Sequence, residues 1–188
     1  MNLPNSITVA RLVLTAIFVA AASAHSQQGN LIALICFALA TFSDFLDGYL
    51  ARKLNLVTSL GKLLDPLADK ILVAAAFIHL TALELCPVWI TSVIIAREFL
   101  VTGLRQIAVE QGQVIPADKL GKWKTTLQLT FCLAALTWLL VAQLPNNFLY
   151  PLTHPQGWLI RITLYGALLL TALSGFNYTW KGRHLLKG

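Results

Sequence analysis

Charge is scarce in this chain. Of its 188 residues, 12% are charged and 57% are hydrophobic, whereas soluble domains usually carry about 25% charged residues. The mean hydropathy is +0.70. A soluble domain of this size could not bury that much apolar surface in one core. The composition therefore excludes a soluble enzyme, a disordered chain and a disulfide-rich scaffold, and it predicts one polytopic membrane domain over residues 1–188.

Cysteine and acidic residues are also few. The three cysteines share no metal-ligand spacing, so we interpret them as small buried side chains. Eight acidic residues stand against 14 lysines and arginines, which gives a formal net charge of +6. In so apolar a chain, this excess favours cytoplasmic loops beside anionic lipid headgroups over binding to nucleic acid.

Six apolar segments are long enough to cross a bilayer as helices, which takes about 20 residues each. They are Ile7–Ala24, Leu31–Ala51, Ser59–Leu83, Pro87–Val109, Gly121–Leu144 and Trp158–Trp180. The connections at 25–30, 81–86 and 143–157 contain no Lys or Arg, and most basic residues gather at the opposite ends. The positive-inside rule then predicts an all-α protein with six transmembrane helices and both termini in the cytoplasm.

Four of the acidic residues cluster in and beside two of these segments. Asp44 and Asp47 are three positions apart, and Asp65 and Asp69 are four apart, so each pair lies on one face of a helix. Carboxylates at membrane depth are costly unless they face a cavity, a partner or a cation. An all-oxygen ligand set favours Mg²⁺ or Mn²⁺, and two ions about 3.5–4 Å apart would suit a displacement at phosphorus.

Two other interpretations of the aspartates stay open at this point. Nearby basic residues could pair with them in a purely structural ion network. Intramembrane aspartates also occur in divalent-cation transporters. A transporter should need polar groups through both halves of the membrane, whereas the predicted outer half is nearly devoid of charge. Binding of catalytic metal ions is therefore favoured.

Small residues and an arginine accompany the carboxylates. Gly48 follows Asp47 directly, and Arg52 lies one helical turn later, where it can contact phosphate oxygens. Gly48 and Ala51 would leave space for a headgroup, and glycine inside a helix is costly unless something approaches the backbone closely.

These residues together resemble the signature of the CDP-alcohol phosphatidyltransferases. Eight residues separate Arg52 from Gly61, and three separate each later member from the next. The positions that match are Asp44, Asp47, Gly48, Ala51, Arg52, Gly61, Asp65 and Asp69. The resemblance implies displacement of CMP from a CDP-linked lipid by an alcohol, in a six-span homodimer with its active site facing the cytoplasm.

The resemblance also implies a role for each signature position. Asp44, Asp47 and Asp65 would ligate the metal ions. Asp69 would contribute to the same site and act as the general base. The small and basic positions would hold the cytidine diphosphate part of the donor; they are Gly48, Ala51, Arg52 and Gly61.

The start of the first segment carries a further, shorter resemblance. The stretch from Asn5 through Thr8 to Arg11 is similar to the family's entry to its first span. This implies that Asn5 and Thr8 lie near the nucleotide. The local alternative is that Asn5 or Ser6 caps the first helix.

The acceptor is suggested by polar residues in the fourth and fifth segments. Arg97 and Arg105 are two helical turns apart and share a broad face, and Lys122 and Lys124 lie at the start of the fifth segment. Such a cationic pocket suits a phosphate-bearing acceptor. The stretches that hold these residues resemble those of phosphatidylglycerophosphate synthases, which implies CDP-diacylglycerol as donor and sn-glycerol 3-phosphate as acceptor. Inositol phosphate and serine remain alternative acceptors.

Overall fold

The computed structural model describes most of the chain. It gives the backbone of residues 3–54, 59–112, 119–142 and 147–182, and the side chains of residues 8–43, 67–68, 70–112, 120–142 and 147–180. Within these ranges all regular structure is α-helical. The helices are α1 (Leu3–Ala22), α2 (Gln27–Leu54), α3 (Ser59–Ala82), α4 (Val88–Glu110), α5 (Lys119–Val141), α6 (Tyr150–Thr153) and α7 (Trp158–Gly182).

The predicted all-α class is confirmed, and the six long helices occupy the six predicted apolar segments. Two details differ from the sequence predictions. The segment 143–157, predicted as a simple turn, contains the short helix α6, which Pro151 favours because proline is tolerated in a first helical turn. Helix α1 begins at Leu3, so Asn5 and Ser6 lie inside it, and the local alternative that one of them caps its start is wrong.

The core forms where the long helices cross. Helix α1 packs against α2 and α3, α5 packs against α7, and α2 and α3 both reach α5. Phe18 and Phe37 join α1 to α2 with ring centroids 6.0 Å apart, and Phe77 stacks on Phe131 at 5.4 Å between α3 and α5. These four rings are fully buried. Aromatic packing therefore joins α1 to α2 and α3 to α5 in the core.

The outer surface of the bundle is unusually apolar. Large aliphatic and aromatic side chains on several helices are half exposed or more, among them Val13, Leu39, Ile78, Leu169 and Phe176. Two helical stretches, Leu120–Val141 and Tyr150–Trp180, are long and apolar enough to cross a membrane. Shorter apolar stretches lie at Thr8–Ala22, Gln27–Ser43 and Lys70–Ala82. Contiguous apolar surface of this kind marks a surface that contacts lipid or another protein.

Candidate functional site

A polar cavity of about 390 Å³ opens between four helices. Helix α3 contributes Lys70, α4 contributes the stretch from Arg97 to Arg105, and α7 contributes Tyr178. The first two turns of α5 complete the lining with Gly121, Lys122, Lys124, Thr125 and Thr126. The cavity therefore brings together all four side chains that the sequence predicted to bind an acceptor phosphate: Arg97, Arg105, Lys122 and Lys124.

A buried carboxylate lies at the centre of this cationic lining. Glu98 is 6% exposed and accepts a hydrogen bond from the ammonium group of Lys124, which is 2% exposed. Its Oε1 also lies 3.3 Å from Arg97 Nη1, and its Oε2 lies 3.7 Å from Lys70 Nζ. Glu98 thus ties three helices together through three cations. Buried charges persist only when they are paired in this way.

Arg97 is held from α7 as well as from its own helix. Its Nη2 donates a hydrogen bond of 2.9 Å to Ser174 Oγ, and its guanidinium carbon lies 5.6 Å from the centre of the Tyr178 ring. Gly175 supplies the space, because a Cβ built there would lie 3.0 Å from Arg97 Cγ. A hydroxyl, a ring and a carboxylate therefore fix the orientation of this guanidinium.

The other two predicted phosphate-binding cations differ from Arg97 and Lys124 in their exposure and in their partners. Arg105 and Lys122 are exposed, and among the side chains that the structure describes neither has an ion-pair or hydrogen-bond partner. The site therefore combines two cations held by the Glu98 carboxylate, the buried Lys124 and the partly buried Arg97, with two accessible ones. Because one carboxylate faces five cations, this cavity has a strong excess of positive charge and suits an anion.

Two of the four signature aspartates belong to α3, which lines this cavity, and the side chains of all four lie outside the described residues. Asp44 and Asp47 fall in α2, and Asp65 and Asp69 in α3, so the helical spacing assumed for each pair is confirmed. Asp69 directly precedes Lys70, whose ammonium lines the cavity. Among the described side chains no group of three His, Cys, Asp or Glu could hold a metal ion.

The residues predicted to hold the donor are located by the structure only in part. Gly48, Ala51 and Arg52 lie in α2 and Gly61 in α3, where their side-chain environment is outside the described part of the chain. Asn5 lies in α1 with its side chain likewise outside it. Thr8 is described, and it is 2% exposed inside the bundle. The predicted donor roles therefore stay predictions.

Sequence reasoning missed three residues that hold the cations of the cavity in place. Glu98, Ser174 and Tyr178 are not among the residues that the sequence assigns to a site. Ser174 and Tyr178 are four positions apart on α7 and flank Gly175, so they share a helical face with a gap between them. A small-residue gap between polar residues in an apolar helix was the available signal.

Comparison with known proteins identifies the family. The family model described as CDP-alcohol phosphatidyltransferase matches residues 1–173. A Bacillus subtilis (strain 168) protein named CDP-diacylglycerol–glycerol-3-phosphate 3-phosphatidyltransferase is 41% identical over 199 residues, covering 99% of this chain and 97% of that protein. A protein of the same name from Rickettsia bellii is 37% identical over 177 residues, covering 94% and 93%. The apolar helices are those of a membrane protein, and the chain belongs to the CDP-alcohol phosphatidyltransferase family.

Proposed function

We propose that the protein transfers the phosphatidyl group of CDP-diacylglycerol to sn-glycerol 3-phosphate, giving phosphatidylglycerophosphate and CMP. The observation that carries the proposal is the cationic cavity of α3, α4, α5 and α7, which adjoins the α3 segment bearing Asp69. The names of the relatives support the same donor and acceptor.

The cavity argues for a phosphate on the acceptor. Lys124 is buried, Arg97 is partly buried and held by Glu98 and Ser174, and Arg105 and Lys122 are accessible. Charge-assisted hydrogen bonds to a phosphate are strongest from cations held in this way. Serine, which has no phosphate, suits this lining poorly. Inositol phosphate would satisfy the charge equally, and the names of the relatives favour glycerol phosphate over it.

The metal requirement follows from the donor set on α2 and α3. Asp44, Asp47 and Asp65, together with Asp69, offer carboxylate oxygens alone, which fits Mg²⁺ or Mn²⁺ and disfavours softer metals. Two such ions, when bound, would neutralise the donor pyrophosphate and the departing CMP.

The chain's own residues would then do three things. Gly48, Ala51, Arg52 and Gly61, with Asn5 and Thr8, would hold the cytidine diphosphate group. The cavity cations would orient the acceptor phosphate so that its 1-hydroxyl faces phosphorus. Asp69 would accept the hydroxyl proton while the new oxygen–phosphorus bond forms and the pyrophosphate bond breaks, releasing CMP.

The protein would sit in the cytoplasmic membrane with six spans, both termini and the cavity on the cytoplasmic side, and it would act as a homodimer. The exposed apolar surface of the helices and the distribution of Lys and Arg support this topology. Gln111→Cys and Phe148→Cys test it, because both sites are exposed and lie at opposite ends of the bundle. A membrane-impermeant thiol reagent applied to intact cells should label position 148 alone. Labelling of position 111 alone would contradict the proposed orientation and indicate the opposite one.

The reaction is tested by following label from glycerol 3-phosphate into a lipid product. Purified protein in detergent receives CDP-diacylglycerol, Mg²⁺ and labelled glycerol 3-phosphate. We expect label in the organic phase, stoichiometric release of CMP, and loss of both on chelation of divalent metal. Release of CMP without labelled lipid would indicate hydrolysis of the donor and would refute the proposed transfer.

A further inference from the structure

Glu98 is the one acidic side chain among the described residues that line the cationic cavity. Its position is paradoxical, because a carboxylate inside an anion-binding cavity repels the anion it should admit. It is also almost fully buried, so water does little to screen that repulsion. If the carboxylate merely occupied the cavity, its removal would improve binding of phosphate.

The contacts of Glu98 indicate a different role. Lys124 is 2% exposed, and Glu98 is the only partner of its ammonium among the described residues. A buried ammonium without a counterion would withdraw from the cavity or lose its proton. Arg97 Nη1, 3.3 Å away, is oriented by the same carboxylate. Lys124 therefore depends on Glu98 for its counterion among the described residues, and Arg97 takes part of its orientation from the same anion.

The third contact links the cavity to α3. Lys70 Nζ lies 3.7 Å from Glu98 Oε2, and Lys70 directly follows Asp69. The carboxylate consequently connects the helix that carries the expected base with the two helices that carry the phosphate-binding cations. Such a link sets the distance between the acceptor phosphate and the residue that takes its proton, a distance on which rate depends steeply.

We propose that Glu98 is a positioning residue for the acceptor: it holds Lys124 and Arg97 in place for the acceptor phosphate and ties their helices to α3 through Lys70. This inference rests on the proposed function, because it presumes that the cavity takes the acceptor. It goes beyond that function by assigning a favourable role to a negative charge in a site for an anion.

The direction in which the KM for glycerol 3-phosphate changes distinguishes a carboxylate that positions the cations from one that only repels the acceptor. Glu98→Gln keeps the shape of the side chain and removes its charge. If Glu98 positions the cations, the KM for glycerol 3-phosphate should rise by about tenfold or more, the loss expected when a charge-assisted hydrogen bond is displaced. The KM for CDP-diacylglycerol should change less than about twofold, within ordinary context effects. An unchanged or lowered KM for glycerol 3-phosphate would overturn the proposal.

Two further variants keep the test decisive. Glu98→Asp retains the charge on a shorter side chain, so its KM for glycerol 3-phosphate should lie between those of the wild type and Glu98→Gln. If the Gln variant does not fold, the Asp variant provides the test by itself. A Glu98→Asp enzyme with wild-type KM for glycerol 3-phosphate would contradict a positioning role. Glu110→Gln makes the same substitution at an exposed site at the end of α4 and should leave both KM values unchanged.

A double-variant cycle tests whether Glu98 acts through Lys124. In a Lys124→Gln background, Glu98→Gln should raise the KM for glycerol 3-phosphate much less than it does in the wild type, because one of the cations it positions is gone. Equal effects in both backgrounds would overturn the proposed route. A wild-type enzyme that is inactive with glycerol 3-phosphate would instead refute the proposed function, so the two failures are distinguishable.

Discussion

Glu98 and Lys124 form a buried ion pair, and removal of one partner should lower the free energy of unfolding by a different amount from removal of the other. Both variants, Glu98→Gln and Lys124→Gln, abolish the same ion pair. They differ in the charge left behind. Glu98→Gln leaves an ammonium that is 2% exposed and has no other partner among the described residues. Lys124→Gln leaves a carboxylate that keeps Arg97 at 3.3 Å and Lys70 at 3.7 Å.

The magnitudes follow from these leftover contacts. Uncompensated removal of one partner from a buried pair costs about 3–5 kcal/mol, and we expect Glu98→Gln to fall in that range. Loss of a single charge-assisted hydrogen bond, with the remaining charge still neutralised, costs about 1.5–3 kcal/mol, and this should describe Lys124→Gln. The free energy of unfolding should therefore be lower for Glu98→Gln than for Lys124→Gln, by about 1–2 kcal/mol.

Reversible unfolding in mixed micelles, by titration with a denaturing detergent, measures the difference. Glu110→Gln serves as the control, because a substitution at an exposed helix end should stay within about 0.5 kcal/mol of the wild type. Equal losses for the two variants, or a larger loss for Lys124→Gln, would refute the conclusion that Glu98 is the shared counterion of the cavity.

Three further substitutions, and one control, address the chemistry and the geometry of the site. Asp69→Asn should abolish CMP release while the protein keeps its wild-type elution volume in detergent, because the acceptor hydroxyl would lose its base. Arg105→Ala should raise the KM for glycerol 3-phosphate more than that for CDP-diacylglycerol in steady-state assays, since its exposed guanidinium has no other described partner. Gly175→Ala should raise the KM for glycerol 3-phosphate, because the new Cβ would press on Arg97 Cγ from 3.0 Å. Gly103→Ala, where a Cβ meets nothing within 4 Å among the described residues, should leave KM unchanged and raise the free energy of unfolding by about 0.8–1.0 kcal/mol.

The architecture was largely predictable from the sequence because apolar segments of bilayer length are separated by short polar connections. The long helices match those segments to within a few residues at most ends. The ends are where prediction failed: α1 begins at Leu3 and α2 at Gln27, before the apolar runs themselves start. Helical hydrogen bonding continues into polar residues, which hydropathy alone does not detect.

The sequence could predict which cations line the cavity, but it could not predict the contacts that hold them. Arg97 and Arg105 could be grouped because they share a helix and are two turns apart. That Lys124 reaches Glu98 from another helix depends on how α4 and α5 each pack on α3 and α7, and no local pattern encodes that contact. Ser174, which accepts a hydrogen bond from Arg97, lies on α7, 77 positions along the chain. This contact therefore also depends on how the helices pack.

The measurement that tests the central claim most directly is release of CMP with one acceptor at a time. Purified protein in detergent receives CDP-diacylglycerol and Mg²⁺, with glycerol 3-phosphate, inositol 1-phosphate, serine or phosphatidylglycerol supplied separately. We predict release with glycerol 3-phosphate alone, lost with chelator and in Asp69→Asn. Release with a different acceptor would contradict the assignment of the cavity to glycerol 3-phosphate, and release with none would contradict the proposed transfer itself.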